Sequence, residues 1–272
     1  MSCSAYVDSV GILGPGLADW PAARAVLRGE SVYLPAPTVL PVPQLLPPAE
    51  RRRAGRVVRL ALAIASEASL RAGLDPGSLQ SVFSSSGGDG HNCHELCVTL
   101  ATAERAVSPT RFSNSVHNAA AGYWSIATGA RGAANVLCAY DASFGAGLLE
   151  ALALARSQRA GVLLVSYDTE YPAPLFAHRP IPDAFGISLV LKAERGPLSI
   201  ARIDVALAAA DQERSALRPR ACADPRLEAL RAAIPAARGL PLLECIAKAE
   251  GGTVLLDYLD VARLALGVTA CP

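Results

Sequence analysis

Two stretches of this sequence combine residue types that can do chemistry. The first is a short apolar run, Asn135-Val-Leu-Cys-Ala-Tyr140, which meets a long apolar helical pattern, Ala142 to Arg156, at Asp141. A strand that turns straight into a helix presents one side chain at the helix N-terminus. Free N–H groups and the helix dipole favour negative charge there. This is the arrangement of a nucleophile elbow, which stabilises a thiolate or alkoxide. The residue at the turn is Asp141. A carboxylate can act as a nucleophile elsewhere. Asp is also among the best N-cap residues, worth about 1 kcal/mol with no catalytic role. Cys138 is the alternative nucleophile. It is expected inside the strand, where a buried cysteine behaves as a small, inert hydrophobe.

The second stretch holds His91, Cys93, His94 and Cys97 beside Asp89. Zinc sites use cleaner paired spacing, so a polar helix start at the mouth of a cleft is expected, with no metal. Upstream lie Arg51, Arg52, Arg53, Arg56 and Arg59. Arg52, Arg56 and Arg59 would share one face of a continuous helix, as a docking stripe for an acidic protein or as a solvated face.

The elements that must position these groups follow from hydrophobic period. Strands are predicted over Ala5–Leu13, Leu79–Ser84, Asn135–Tyr140, Gly161–Ser166, Ile187–Ala193 and Leu198–Leu207. Helices are predicted over 18–27, 49–72, 92–106, 114–128 and 142–156. Residues 34–48 are too rich in proline for regular structure. From about 209 onward the pattern is more helical, ending in a short strand, Thr253–Leu256. Strands alternating with helices indicate a layered α/β fold. A weak composition shift near Arg195-Gly196-Pro197 divides a domain at 1–195 from an extension at 196–272 that packs on it.

Composition excludes several classes. The net charge is +1, which argues against a polyanion binder. The start of the chain has no basic or long apolar segment of a signal peptide. Seven cysteines in no framework spacing fit a reducing, cytoplasmic setting.

Ser108-Pro109, Asn118, Ala121-Gly122, Gly129 and Arg131-Gly132 stand at spacings that resemble the N-terminal half of β-ketoacyl synthases. In that family the reactive cysteine lies ten residues after the arginine of the Arg-Gly pair, which here is Asp141, and a following Glu-Ala falls on Glu150-Ala151. The resemblance covers roughly residues 4–195. Within it, Arg51-Arg-Arg53, Ser108-Pro-Thr-Arg-Phe112, Ser115-Val-His-Asn118 and Gly122-Tyr-Trp-Ser-Ile-Ala127 resemble the short chain length factors of aryl-polyene pathways.

The resemblance implies a thiolase-like α/β fold, mainly the N-terminal half of a ketosynthase, and a role beside a full-length β-ketoacyl synthase. Family condensation needs Cys-His-His. The cysteine is replaced here, and the two histidines belong to a C-terminal half beyond the four histidines of this chain. The chain is therefore expected not to catalyse alone. By the resemblance, Arg111, Phe112 and Ser113 would wall the partner's acyl pocket, and Asn118, Tyr123 and Trp124 would lie near the partner interface. Arg52, Arg56 and Arg59 would receive an acyl carrier protein, whose phosphopantetheine arm delivers the substrate without further cofactor. A stand-alone acyltransferase or malonyl decarboxylase, and a homodimeric binding module, are the alternatives.

Overall fold

In the computed structural model, residues 3–209, 219–259 and 262–272 are described. Residues 210–218, within the span expected to be more helical, lie outside them. The chain begins with β1 (Cys3–Leu13), α1 (Trp20–Leu27), α2 (Pro48–Arg53) and α3 (Arg56–Arg71). Then come β2 (Gln80–Ser84), α4 (Gly90–Ala101), α5 (Pro109–Ser113), α6 (Ala119–Thr128), β3 (Ala134–Leu137) and α7 (Ser143–Gln158). β4 (Val162–Asp168), α8 (Ala173–Phe176), β5 (Phe185–Lys192) and β6 (Ala201–Ala209) follow. α9 (Pro225–Ala233), α10 (Leu240–Lys248), β7 (Gly252–Leu259) and β8 (Ala262–Ala270) complete the order.

The strands form one sheet in the order β3-β2-β4-β5-β1-β6-β8-β7. β2 is parallel to both β3 and β4, and the remaining neighbours are antiparallel. The parallel strands point their carboxyl ends the same way, which gathers the loops after β2, β3 and β4 at one rim. β4 is buried along its whole length, as a central strand covered on both faces should be.

Each face of the sheet carries its own apolar layer. On one, Val57, Leu60 and Ile64 of α3 and Tyr123 and Trp124 of α6 pack with Leu163 and Val165 of β4 and Val190 of β5. On the other, Phe144, Leu148 and Leu152 of α7 pack with Leu27 of α1 and Leu240 and Leu243 of α10. Gly147 lets α7 lie against β2, because a Cβ there would stand 2.6 Å from Ser84 Oγ. α10 is buried from Leu240 to Ala247, so the C-terminal segment covers the α7 side as the apolar half-fold requires.

Several expected boundaries are corrected. The helix predicted over 49–72 is two helices, broken where Ala54 and Gly55 are extended (ψ 109° and 178°); glycine is a poor helix former and leaves the break cheap. The helix over 114–128 starts only at Ala119, and turns over residues 114–118 separate α6 from α5. The extension does more than pack on the domain: β6, β8 and β7 continue the same sheet beyond β1. β8 is a strand with little local signal, because Ala262-Arg-Leu-Ala-Leu-Gly-Val-Thr-Ala270 is rich in residues depleted from strands. Its strand state comes from pairing with β6 over nine positions, Ala201↔Ala270 to Ala209↔Ala262.

Candidate functional site

The rim at the carboxyl ends of β2, β3 and β4 holds the elbow residues Cys138 and Asp141 and, after β2, the start of α4 with Asp89. β3 ends at Leu137, and a 3-10 turn over Tyr140–Ala142 leads into α7. The turn is strained at Tyr140, whose φ is +51°; non-glycine residues rarely adopt that region, and such outliers gather at functional sites.

Asp141 does not cap α7. The cap residue is Ala142, with no side-chain hydrogen bond. The carboxylate turns away from the helix and is held by two arginines. Arg179 Nη2 donates to Oδ1, and Arg238 Nη2 donates to Oδ2 at 3.0 Å. Charge pairing won over capping because both guanidinium groups are largely buried, with side chains 17% and 22% exposed, and each needs an anion there. Arg179 also lies 3.7 Å from the centre of the Tyr140 ring, a cation–π contact, and donates to Tyr171 Oη at 3.3 Å. A carboxylate neutralised by two cations is a poor nucleophile.

Cys138 is exposed and lies past the end of β3, which corrects its expected burial in the strand: β3 stops after four residues, so the thiol sits in the turn. Its Sγ donates to Ser86 O at 3.3 Å. Ser85 and Ser86 begin the glycine-rich loop after β2 and bind a second carboxylate, Asp168, at the end of β4. Asp168 accepts from Ser86 N at 2.8 Å, Ser86 Oγ at 2.6 Å and Ala236 N at 2.9 Å. Burial holds its carboxyl above the ordinary range, against the opposing pull of these donors. Asp168 and Asp141 thus both reach segment 235–239, through Ala236 and Arg238. The rim is locked from the C-terminal side.

Asp89 accepts from Asn92 N at 2.9 Å and caps α4; burial pushes its carboxyl up. His91, Cys93, His94 and Cys97 lie along α4, and Cys93 and Cys97 are exposed. Among the described residues no group of three or more His, Cys, Asp or Glu side chains is arranged to hold a metal.

The arginines expected to share a helix face are divided by the break at Gly55. Arg52 is exposed on α2. Arg56 pairs with Glu170. Arg59 donates to the carbonyls of Leu40 and Pro41, and so serves the proline-rich segment. Arg51 donates to Gln44 O at 3.0 Å and Leu46 O at 2.9 Å. No single stripe results.

Arg111, Phe112 and Ser113 form an exposed turn of α5, with Phe112 68% exposed, and Arg111 pairs with Glu95 at 3.7 Å. Asn118 is exposed just before α6. Tyr123 and Trp124 are buried in the layer between α6 and the sheet, with Tyr123 Oη donating to Asn114 Oδ1 at 3.1 Å. They are core residues of this chain rather than surface contacts. Arg179, Arg238, Asp168 and Ser86 carried no signal of their own in the sequence, apart from the serine–glycine loop. Their partners lie between 38 and 97 positions away.

The chain matches the family described as beta-ketoacyl synthase, N-terminal domain, over residues 25–238. No curated protein matches it. Among solved structures it is similar to a chain of the ketosynthase ApeO in complex with its chain length factor ApeC from Xenorhabdus doucetiae. That match has 20% identity and a TM-score of 0.72, covering 97% of this chain and 99% of the other. It is similar to a chain of the ishigamide ketosynthase/chain length factor at 18% identity and a TM-score of 0.72, covering 99% and 100%. A third likeness, at 11% identity and a TM-score of 0.73 with both chains fully covered, is to AntDE:AntF, a type II PKS acyl-carrier protein in complex with its ketosynthase bound to the hexaketide. The layered, mixed α/β sheet is the thiolase-like fold of these proteins. This chain belongs to the beta-ketoacyl synthase N-terminal domain family.

Proposed function

We propose that this chain is the non-catalytic partner of an active β-ketoacyl synthase, a chain length factor of the aryl-polyene type. In this reading the two form a heterodimer in the cytoplasm and elongate acyl chains carried by an acyl carrier protein. The partner supplies the Cys-His-His chemistry of decarboxylative condensation, and Arg111, Phe112 and Ser113 limit the acyl pocket. The observation that carries the reading is Asp141: the elbow position holds a carboxylate clamped by Arg179 and Arg238.

The surface supports a protein partner. β3 closes the sheet at one end and, among the described residues, is paired on one side only, with β2; an open edge invites pairing or cover. Val98, Leu100, Phe112, Val116, Leu175 and Phe176 are exposed on segments that follow β2 and β4. Solvent is a poor environment for so many large apolar side chains. An obligate interface covering them would bury upwards of ~2,000 Å². Among the described residues no helix is long and apolar enough to cross a membrane.

Co-expression with a full-length ketosynthase from the same genome, followed by sizing, tests the pairing. A 1:1 complex is expected, with condensation seen for the pair and not for this chain alone. Intact-mass measurement of the isolated chain after incubation with malonyl and acyl thioesters tests the chemistry. Because Cys138 is exposed, an adduct there or on Asp141 is the result that would overturn the reading in favour of a stand-alone acyltransferase. A soluble homodimer that ignores the ketosynthase would favour a binding module instead.

A further inference from the structure

The rest of the fold hardly covers α4: among its residues only Gly90 is buried. The helix carries two exposed thiols, Cys93 and Cys97, four positions apart. Side chains at that spacing share one face of a helix, with Cβ atoms about 5–6 Å apart. Partial burial holds the Cys93 thiol above its ordinary value, and Asp89 and Cys97 lie close enough to push it the same way. Among the described residues Cys93 donates only a long contact, to Ser115 O at 3.9 Å, so its sulfur is free to take a ligand.

Geometry and donor type sort the chemistry open to this pair. A disulfide needs Cβ atoms about 3.5–4.5 Å apart, so the two thiols cannot close one without unwinding α4. Two metal–thiolate bonds of about 2.3 Å each allow the sulfurs to stand up to about 4.6 Å apart, which bridges one helical turn. Structural zinc is held by four ligands, and among the described residues no third His, Cys, Asp or Glu joins the pair. A soft ion satisfied by two thiolates is Cu(I). The negative charge of Asp89 opposes loss of the Cys93 proton but favours a cation in its place.

The other thiols are less suited. Cys138 stands alone in the elbow turn and donates to Ser86 O at 3.3 Å. Cys222 and Cys245 are buried, and Arg220 Nη1 lies 2.9 Å from Cys245 Sγ, a fixed positive charge set against any cation.

We propose that Cys93 and Cys97 form a two-thiolate site for a soft monovalent cation, Cu(I), on the exposed face of α4. Binding forms two Cu–S bonds and releases both thiol protons to solvent, with no electron transferred. The site is independent of the role assigned to the Asp141 rim and stands or falls separately from it.

The test is anaerobic titration of the reduced full-length chain with Cu(I) in competition with bicinchoninate. Cys93→Ser, Cys97→Ser and Cys138→Ser are titrated in parallel. All three positions are exposed, so the variants should keep the wild-type melting temperature. One Cu(I) per chain is expected for the wild type and for Cys138→Ser, with equal affinity. In Cys93→Ser and Cys97→Ser binding should weaken at least ~10-fold, the smallest loss usual when only the outer support of a metal ligand is removed. Absence of competition with bicinchoninate, or equal affinity in the wild type and both α4 variants, overturns the proposal. Zn(II) held as tightly as Cu(I), with the same dependence on Cys93 and Cys97, would overturn the choice of a soft ion. Sizing that shows a dimer formed on Cu(I) addition would mean that two chains share the ion, and would also overturn it.

Discussion

Arg238 should be energetically coupled to Asp141, and a double-mutant cycle measures that coupling. The relevant variants are Asp141→Ala, Arg238→Ala and the pair. Two unit charges about 4 Å apart interact by about 4 kcal/mol in a medium of effective dielectric about 20 and by about 1 kcal/mol in water. Arg238 lies 3.0 Å from Asp141, with its own side chain 22% exposed, but the Asp141 side chain is 39% exposed. Solvent screening therefore brings the coupling toward the lower bound, to about 1–2 kcal/mol. Asp141→Ala should cost more than Arg238→Ala, roughly 2–3 against 1 kcal/mol, because it leaves two mostly buried guanidiniums facing each other without an anion. Arg238→Ala leaves Asp141 still paired with Arg179. Urea unfolding followed by circular dichroism gives each stability, with equal slopes required for the comparison. A coupling below about 0.5 kcal/mol would refute the view that the C-terminal segment is locked to the elbow through this carboxylate.

Asp141→Cys should place a thiol between Arg179 and Arg238, which favour the thiolate. It should react with iodoacetamide faster than Cys138, by peptide mass, yet give no condensation product on its own. In the wild-type chain at about pH 8, exposed Cys97 and Cys138 should be alkylated first, and Cys222 should resist, since burial pushes its thiol up to about 12; early labelling of Cys222 would contradict the packing around it. Gly11→Ala should destabilise by about 1–3 kcal/mol, because the added Cβ would overlap the Ile64 carbonyl where β1 meets α3; thermal unfolding measures it, and a neutral result would mean that this approach is looser than described. Burial holds the Glu67 carboxyl above 4.5, its ordinary value. Its contribution is therefore present in full below that value and is lost as pH rises through the raised one. The stability gap between wild type and Glu67→Gln should accordingly shift against the wild type from about pH 4 upward; urea melts across pH check the sign, and the opposite trend would refute it.

The sequence by itself determined the alternation of strands and helices and the place of the elbow. Those features depend on short-range patterns: apolar period in α3 and α7, glycine and proline at turns, and a count of ten residues from Arg131 to Asp141. It also located the strand-to-helix turn on which the functional reading rests. What only the tertiary structure decided is what Asp141 does there. Local chemistry made it a helix cap, but Arg179 and Arg238 approach from 38 and 97 residues away and take the carboxylate. The same holds for β8, whose alanine-rich sequence becomes a strand through pairing with β6, and for Tyr123 and Trp124, whose burial depends on α3 and the sheet arriving against them. In each case the deciding interaction joins segments distant in sequence, and no local propensity encodes which distant group will arrive.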